Sequence, residues 1–204
     1  GRIAARTGDS QWITNERSRE IVQLQRSHHD AIMIGAGTAR NDNPRLTVRN
    51  TALSANPVRT IISDKINLPI KSKLFRSMKS HPTWIIHGGD TDEEIKKAWT
   101  EEGAKLLKTE SANGKILLKN ALINLASEGI TSVYCEGGST LAASLLADNF
   151  VDELIIFTAG VIIGGDGLPT VASLGLDNLK DARRLNLLET MTIDGDVMTR
   201  WSFN

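Results

Sequence analysis

Between residues 31 and 147 the sequence alternates short, apolar, β-branched runs with stretches of helical periodicity, and this alternation most constrains the fold. Repeated strand-and-helix units specify an α/β domain built on a largely parallel sheet. Residues 31–34 read as a buried strand ending at Gly35, with further strands at 58–63, 83–87 and 132–135. Helices are expected at 14–28, 91–102, 115–128 and 139–147, the first with Ile21, Leu24 and Gln25 or His28 at helical spacing. After Asp152 the pattern changes: 153–159, 184–192 and 196–203 read as strands, and the pair Asp194-Gly195 marks a hairpin turn. The expected architecture is a mostly parallel central sheet flanked by helices with an antiparallel C-terminal section. Residues 51–57 read as a surface loop, and one domain accounts for residues 1–204.

A chain of 204 residues with 40% apolar content can bury a real core. Its 24 basic and 24 acidic residues balance, so no long-range field draws in a nucleic-acid backbone or an anionic membrane. The single Cys135 excludes an internal disulfide and a multi-thiolate zinc site, which points to a reducing, cytoplasmic setting and an organic cofactor. No apolar run approaches the roughly 18 residues of a membrane span. The sequence opens at Gly1-Arg2-Ile3 with turn-like residues and no initiating Met, as a piece of a longer protein would.

Ligands of parallel α/β sheets gather at the carboxyl ends of the strands. Gly35-Ala36-Gly37-Thr38-Ala39-Arg40 matches two glycines of a dinucleotide fingerprint, but Arg40 stands at the third. Residues 54–56 also lack the usual acidic partner, which disfavours a standard Rossmann site. A tight turn explains Gly35 and Gly37 equally well. Glu136-Gly137-Gly138-Ser139-Thr140 follows the last parallel strand, where glycines admit a close ligand and the hydroxyls of Ser139 and Thr140 stand beside free helix N–H groups, an arrangement suited to a pyrophosphate. Glu136 suits a sugar hydroxyl or ring N–H, although a capped helix with a surface glutamate is the plainer reading. Residues 46–48 read as extended, placing Arg49 on the same rim as Arg26, where two guanidinium groups clamp a phosphate. His28 and His29 favour the negative end of the first helix. His87 and Asp90 supply two ligands, too few for a metal site, and Cys135 lies in a buried strand where a nucleophile is disfavoured. Binding features without an evident nucleophile point to redox chemistry carried by a bound nucleotide.

The segments Gly8-Asp9-Ser10-Gln11-Trp12-Ile13-Thr14, Gly35-Ala36-Gly37-Thr38, Asp42-x-Pro44-x-Leu46-Thr47-Val48-Arg49 and Glu136-Gly137-Gly138-Ser139-Thr140-Leu141 together resemble the reductase domain of the bacterial riboflavin-biosynthesis deaminase/reductase. The strand entry Val151-Asp152-Glu153-Leu154 and the turn Ile163-Gly164-Gly165 extend that resemblance over almost the whole chain. It implies a dihydrofolate-reductase-like fold and NADPH-dependent reduction of the ribosyl group of 5-amino-6-(5-phosphoribosylamino)uracil to ribityl. It places Ser10, Trp12, Thr38, Asp42, Gly138, Ser139, Thr140, Leu141, Ala142, Ala143 and Ser144 against the cofactor and Arg26, Leu46, Arg49 and Glu136 against the substrate. No catalytic group is assigned: Asp42 and Glu136 are candidates for the proton, as are water and the substrate.

The resemblance further implies a homodimer, a first strand preceding Gly1 and a deaminase domain upstream. The alternatives are a reductase of the undeaminated 2,5-diamino-6-ribosylaminopyrimidinone 5′-phosphate and a non-catalytic nucleotide-binding domain. One departure concerns the cofactor. Ser63-Asp64 replaces the family's Asp followed by Ser or Gly, and beside an adenosine ribose Asp64 would oppose a 2′-phosphate, with Lys65 and Arg59 available to offset it.

Overall fold

Ala31, Ile32, Met33 and Ile34 are at most 1% exposed in the computed structural model, which describes residues 1–49 and 55–203. The elements in chain order are β1 (Arg2–Ala4), α1 (Glu16–Ser27), β2 (Ala31–Gly35), α2 (Ala36–Asp42), β3 (Val58–Ile62), α3 (Lys73–Arg76), β4 (Thr83–His87), α4 (Glu93–Glu102) and β5 (Lys105–Lys108). They continue as β6 (Ser111–Ala112), β7 (Lys115–Ile116), α5 (Leu118–Ser127), β8 (Val133–Cys135), α6 (Ser139–Ala147), β9 (Glu153–Thr158), β10 (Leu168–Pro169), β11 (Asn186–Ile193) and β12 (Asp196–Ser202). The chain divides into two compact units, Gln23–Gly138 and Gly1–Val22 with Ser139–Asn204.

In the unit Gln23–Gly138 five parallel strands lie in the order β5-β4-β3-β2-β8. Side chains alternate between the two faces of a strand. Ile32, Ile34, Ile61 and Ile85 therefore pack with Ala39, Leu74 and Trp99 of α2, α3 and α4. Ala31, Ile86 and Leu107 pack with Ala121 and Leu125 of α5. A sheet covered on both faces needs near-continuous apolar runs, which is why β2, β3 and β4 are legible in the sequence. The edge strand β5, with a lysine at each end, carries no such run. The Lys105 ammonium rests over the Trp84 ring, 4.6 Å from its centroid.

Residues 115–116, read as helical, instead pair as β7 with β6 through Asn113-Gly114, both at positive φ, so α5 begins at Leu118. Residues 36–42 form the unexpected short α2, with Asn43 in the left-handed region closing it.

Asp30, just before β2, ties that strand to β8: its Oδ2 accepts from Thr131 N (2.8 Å), Thr131 Oγ1 (2.8 Å) and Ser132 N (2.9 Å). These bonds favour the carboxylate and lower its pKa from 3.8 to about 2. A depressed folded-state pKa gives stability that is present above the unfolded value and lost as pH falls through the folded one. Acid titration of the wild type should therefore show a loss of stability between pH 4 and 2, and Asp30→Asn should lack that component in urea unfolding followed against pH.

Arg59, fully buried on β3, has no carboxylate partner among the described residues. Its guanidinium donates to the carbonyls of Arg45 (3.1 Å), Leu74 (3.3 Å) and His81 (3.0 Å) and to the hydroxyls of Ser77 (2.7 Å) and Thr83 (2.6 Å). Burial lowers its pKa to about 10.

In the unit Gly1–Val22 with Ser139–Asn204, β11, β12 and β9 form an antiparallel sheet in that order, and Asp194-Gly195 makes the expected hairpin with both residues at positive φ. The opening residues are not a turn: β1 pairs antiparallel with β10. Arg2 also donates to the carbonyls of Gly164 (3.0 Å) and Gly165 (3.1 Å). Helix α1 starts at Glu16 rather than Thr14 because Asn15 caps it, Oδ1 accepting from Ser18 N at 2.8 Å. The buried Asp196 accepts from Asn15 N (2.8 Å) and Ser18 Oγ (2.7 Å). Asn15→Ala removes the cap and is expected to cost about 1–2 kcal/mol, read as a lower urea midpoint at unchanged slope.

Candidate active site

Within the unit Gln23–Gly138, the residues after β8 continue its pairing with β2: Glu136 N donates to Met33 O (2.9 Å) and Gly35 N to Gly137 O (2.9 Å). This fixes Glu136 at the carboxyl end of the sheet, facing Arg26 in the last turn of α1. Arg26 Nε donates to Glu136 Oε1 at 2.5 Å and Nη2 to Oε2 at 2.7 Å, a bidentate pair whose side chains are only 12% and 19% exposed. Burial alone would lower the arginine's pKa. The hydrogen-bonded charge of Glu136 outweighs it, and the net shift is upward. Tyr134, packed against His29 at 5.3 Å between ring centroids, has its hydroxyl pKa raised by burial and by the Glu136 charge.

The third arm of Arg26, Nη1, donates to Thr47 O at 2.9 Å. The sequence reading pairs Arg26 with Arg49 as a phosphate clamp, whereas here Arg26 is already committed to Glu136 and Thr47. Arg49 is exposed, and its guanidinium has no partner among the described residues. Its backbone N–H donates to Oε1 of the buried Gln23 at 2.8 Å. Leu46 is not extended as expected. It has φ +52°, and this bend buries its side chain in the core beside Ala39 and Ile66. The loop expected at 51–57 falls largely outside the described residues.

Gly138 approaches α2 so closely that a Cβ there would lie 3.1 Å from Thr38 Oγ1. Asp42, at the end of α2, has its carboxyl pKa raised by burial. At the neighbouring strand ends Gly88 N donates to Asp64 O at 2.8 Å. A Cβ on Gly88 would sit 2.1 Å from Asp64 Oδ1, so only glycine fits. Asp64 Oδ1 and Thr109 Oγ1 are both buried without a hydrogen-bond partner. The sequence reading missed this cradle. Its signal was Gly88-Gly89 directly after a buried strand, which was weighed only beside His87 and Asp90 for metal. Arg59, expected to offset the Asp64 charge, is buried with both terminal nitrogens engaged elsewhere and is unfit for that role.

In the other unit, Ser139 to Ser144 form the first turns of α6, and Ser144 Oγ donates to Thr140 O at 3.1 Å. The hydroxyls of Ser139 and Thr140 make no hydrogen bond among the described residues. Trp12 is 65% exposed with the Arg19 guanidinium 4.5 Å from its ring centroid, and Ser10 O accepts from Ile13 N at 3.1 Å. Burial raises the Cys135 thiol pKa to about 11, which keeps it protonated and unreactive at neutral pH. Among the described residues no three His, Cys, Asp or Glu side chains gather as a metal site, and no helix is long and apolar enough to cross a membrane.

The family model described as the RibD C-terminal domain matches residues 1–199. The riboflavin biosynthesis protein RibD of Bacillus amyloliquefaciens is 35% identical over 198 residues, covering 97% of this chain and 53% of that protein. The 2,5-diamino-6-ribosylamino-4(3H)-pyrimidinone 5′-phosphate reductase of Methanothermobacter thermautotrophicus is 31% identical over 205 residues, with 99% and 92% covered. Among solved structures, the deaminase/5-amino-6-(5-phosphoribosylamino)uracil reductase of Thermotoga maritima superposes with a TM-score of 0.79 at 26% identity, covering 99% of this chain and 53% of that one. RibD of Acinetobacter baumannii superposes at 0.83 and 23% identity, with 99% and 54% covered, a likeness of fold. The fold is thus the dihydrofolate-reductase-like α/β arrangement, and the chain spans about half the length of the RibD proteins it matches. With a family match running from residue 1 to 199, the chain belongs to the RibD C-terminal domain family.

Proposed function

We propose that this chain is the NADPH-dependent reductase of riboflavin biosynthesis that converts the ribosyl group of 5-amino-6-(5-phosphoribosylamino)uracil to ribityl. The observation that carries the reading is the bidentate Arg26–Glu136 pair, anchored on Thr47 O at the carboxyl end of the sheet in a chain of this family. Both oxygens of Glu136 accept from Arg26, which holds the carboxylate in place to meet polar groups of the substrate, and Arg49, whose guanidinium has no partner among the described residues, takes the 5′-phosphate. Asp42, whose carboxyl pKa partial desolvation raises, stands with Glu136, water and the substrate as a source of the proton that balances the reduction.

The residues present fit a nicotinamide nucleotide. Asp64 Oδ1 and Thr109 Oγ1 are buried polar atoms with no hydrogen-bond partner among the described residues, and glycines at 88 and 138 let the Asp64 carboxylate and the Thr38 hydroxyl approach the backbone. The family resemblance assigns Thr38, Asp42, Gly138, Ser10, Trp12 and Ser139 to Ser144 to it, Leu141, Ala142 and Ala143 included. When bound, the cofactor supplies hydride to C1′ of the ring-opened ribosyl imine. The residues themselves act by orientation, since holding two reactants in attack geometry removes several kcal/mol of barrier.

The same reading makes the protein cytoplasmic and homodimeric, and the half-covered relatives, one of them named deaminase and reductase together, support fusion to a deaminase domain. The undeaminated pyrimidinone phosphate is the second reading, favoured by the relative of that name that this chain spans at 92% of its length. NADPH oxidation should be followed with the two substrates side by side. Faster turnover of the uracil is expected, and turnover of neither defeats the proposal. Titrating NADPH should also quench tryptophan fluorescence through Trp12, and a Trp12→Phe variant should lose that part of the signal.

A further inference from the structure

In a parallel ladder one residue of a neighbouring strand donates to the carbonyl before the residue it faces and accepts from the N–H after it. Thr47 O and Arg49 N flank Val48 in this way, yet both are met by side chains of one helix. Arg26 Nη1 donates to Thr47 O at 2.9 Å, and Gln23 Oε1 accepts from Arg49 N at 2.8 Å. Gln23 and Arg26 are three residues apart on α1 and so share a helix face. The buried Gln23 and the Glu136-locked Arg26 together supply the donor and acceptor that a strand would have supplied.

We propose that Gln23 is a positioning residue for substrate: by accepting from the Arg49 N–H it fixes the backbone from which the Arg49 guanidinium reaches a phosphate. This rests on the proposed function for the identity of the substrate, whereas the clamp itself is a property of the chain alone. The neighbouring contacts make the assignment specific. Arg59 holds Arg45 O and Arg26 holds Thr47 O, but Gln23 is the described side chain bonded to residue 49 itself. Losing it frees a loop residue whose charged group has no partner among the described residues.

Amide hydrogen exchange and steady-state kinetics on the 204-residue chain test this. The Arg49 amide of the wild type should be protected, and its free exchange would overturn the clamp without any variant. Gln23→Met keeps the size and removes the acceptor. It should speed exchange at Arg49 about tenfold while amides of β2 to β4 stay protected. It should also raise KM for the phosphorylated substrate, and the inhibition constant of inorganic phosphate, by about the same factor, with kcat and the NADPH dissociation constant nearly unchanged. Gln23→Glu, which retains an acceptor, should restore Arg49 protection and most of the KM. Unchanged Arg49 exchange in Gln23→Met, or equal weakening of substrate and NADPH, would overturn the proposal. If the wild type reduces neither pyrimidine, the functional reading fails, and the exchange data still decide for or against the clamp.

Discussion

Glu136→Ala is expected to lower both stability and turnover more than any other single change to the site. It strands the Arg26 guanidinium, only 12% exposed in its side chain, with a charge and two donors uncompensated. Breaking a buried pair from one side costs about 3–5 kcal/mol, and the partial exposure of this one reduces the expectation to about 2–3 kcal/mol. The urea midpoint should fall accordingly, and kcat/KM should drop by about two orders of magnitude through lost substrate orientation. The double variant Arg26→Met with Glu136→Leu separates the two effects. An apolar pair of similar volume can recover the stability, while the carboxylate proposed to orient the substrate is gone. A Glu136→Ala protein as stable and active as the wild type would sink this account of the site.

Arg49→Ala should leave the fold almost untouched, because the guanidinium is exposed and the N–H that Gln23 receives belongs to the backbone. A hydrogen-bonded charged contact is worth about 1.5–3 kcal/mol, so KM for the phosphorylated substrate should rise by about 10- to 100-fold while NADPH affinity stays within about twofold. Arg49→Lys should recover part of this, since a point charge replaces a planar fork. The contact is exposed, so raising salt should erode the wild-type advantage toward the variant. Arg26→Ala differs in kind: it also raises KM, but it unpairs Glu136 and lowers stability. Equal losses of substrate and cofactor affinity in Arg49→Ala would refute the division of roles.

The central strands are legible because a parallel sheet covered on both faces favours apolar runs rich in β-branched residues: 31–34 is apolar throughout, and Ile61-Ile62 and Ile85-Ile86 anchor 58–63 and 83–87 although Arg59 and Thr60 interrupt the former. Helix α6 agreed to the residue. What the sequence reading missed lacks such signals. Strand β5 is two leucines between lysines, and the strand β7 hides in a helical pattern because Lys115 and Ile116 fit either period. Short β1 depends on a partner more than 160 residues away. At the site, the sequence sets Arg49 on the same rim as Arg26, and charge type alone suggests that the two arginines act as a pair. Like charges were grouped by their shared preference for phosphate, whereas burial beside Glu136 decided Arg26's partner. Gln23 and Gly88 carry no motif. One acts through a backbone N–H and the other through the absence of a Cβ, and both became visible only with coordinates.

The buried guanidinium of Arg59 bears on how this protein comes apart. It is rooted in a central strand and grips carbonyls from residues 45, 74 and 81, which lie on the periphery. Surface loops ordinarily fray in small, independent openings that cost little free energy. Here such an opening would leave a buried cation with its donors unmet. The segments around residues 45 and 81 are thereby made to melt with the sheet, so that the loop proposed to meet the substrate inherits the cooperativity of the core.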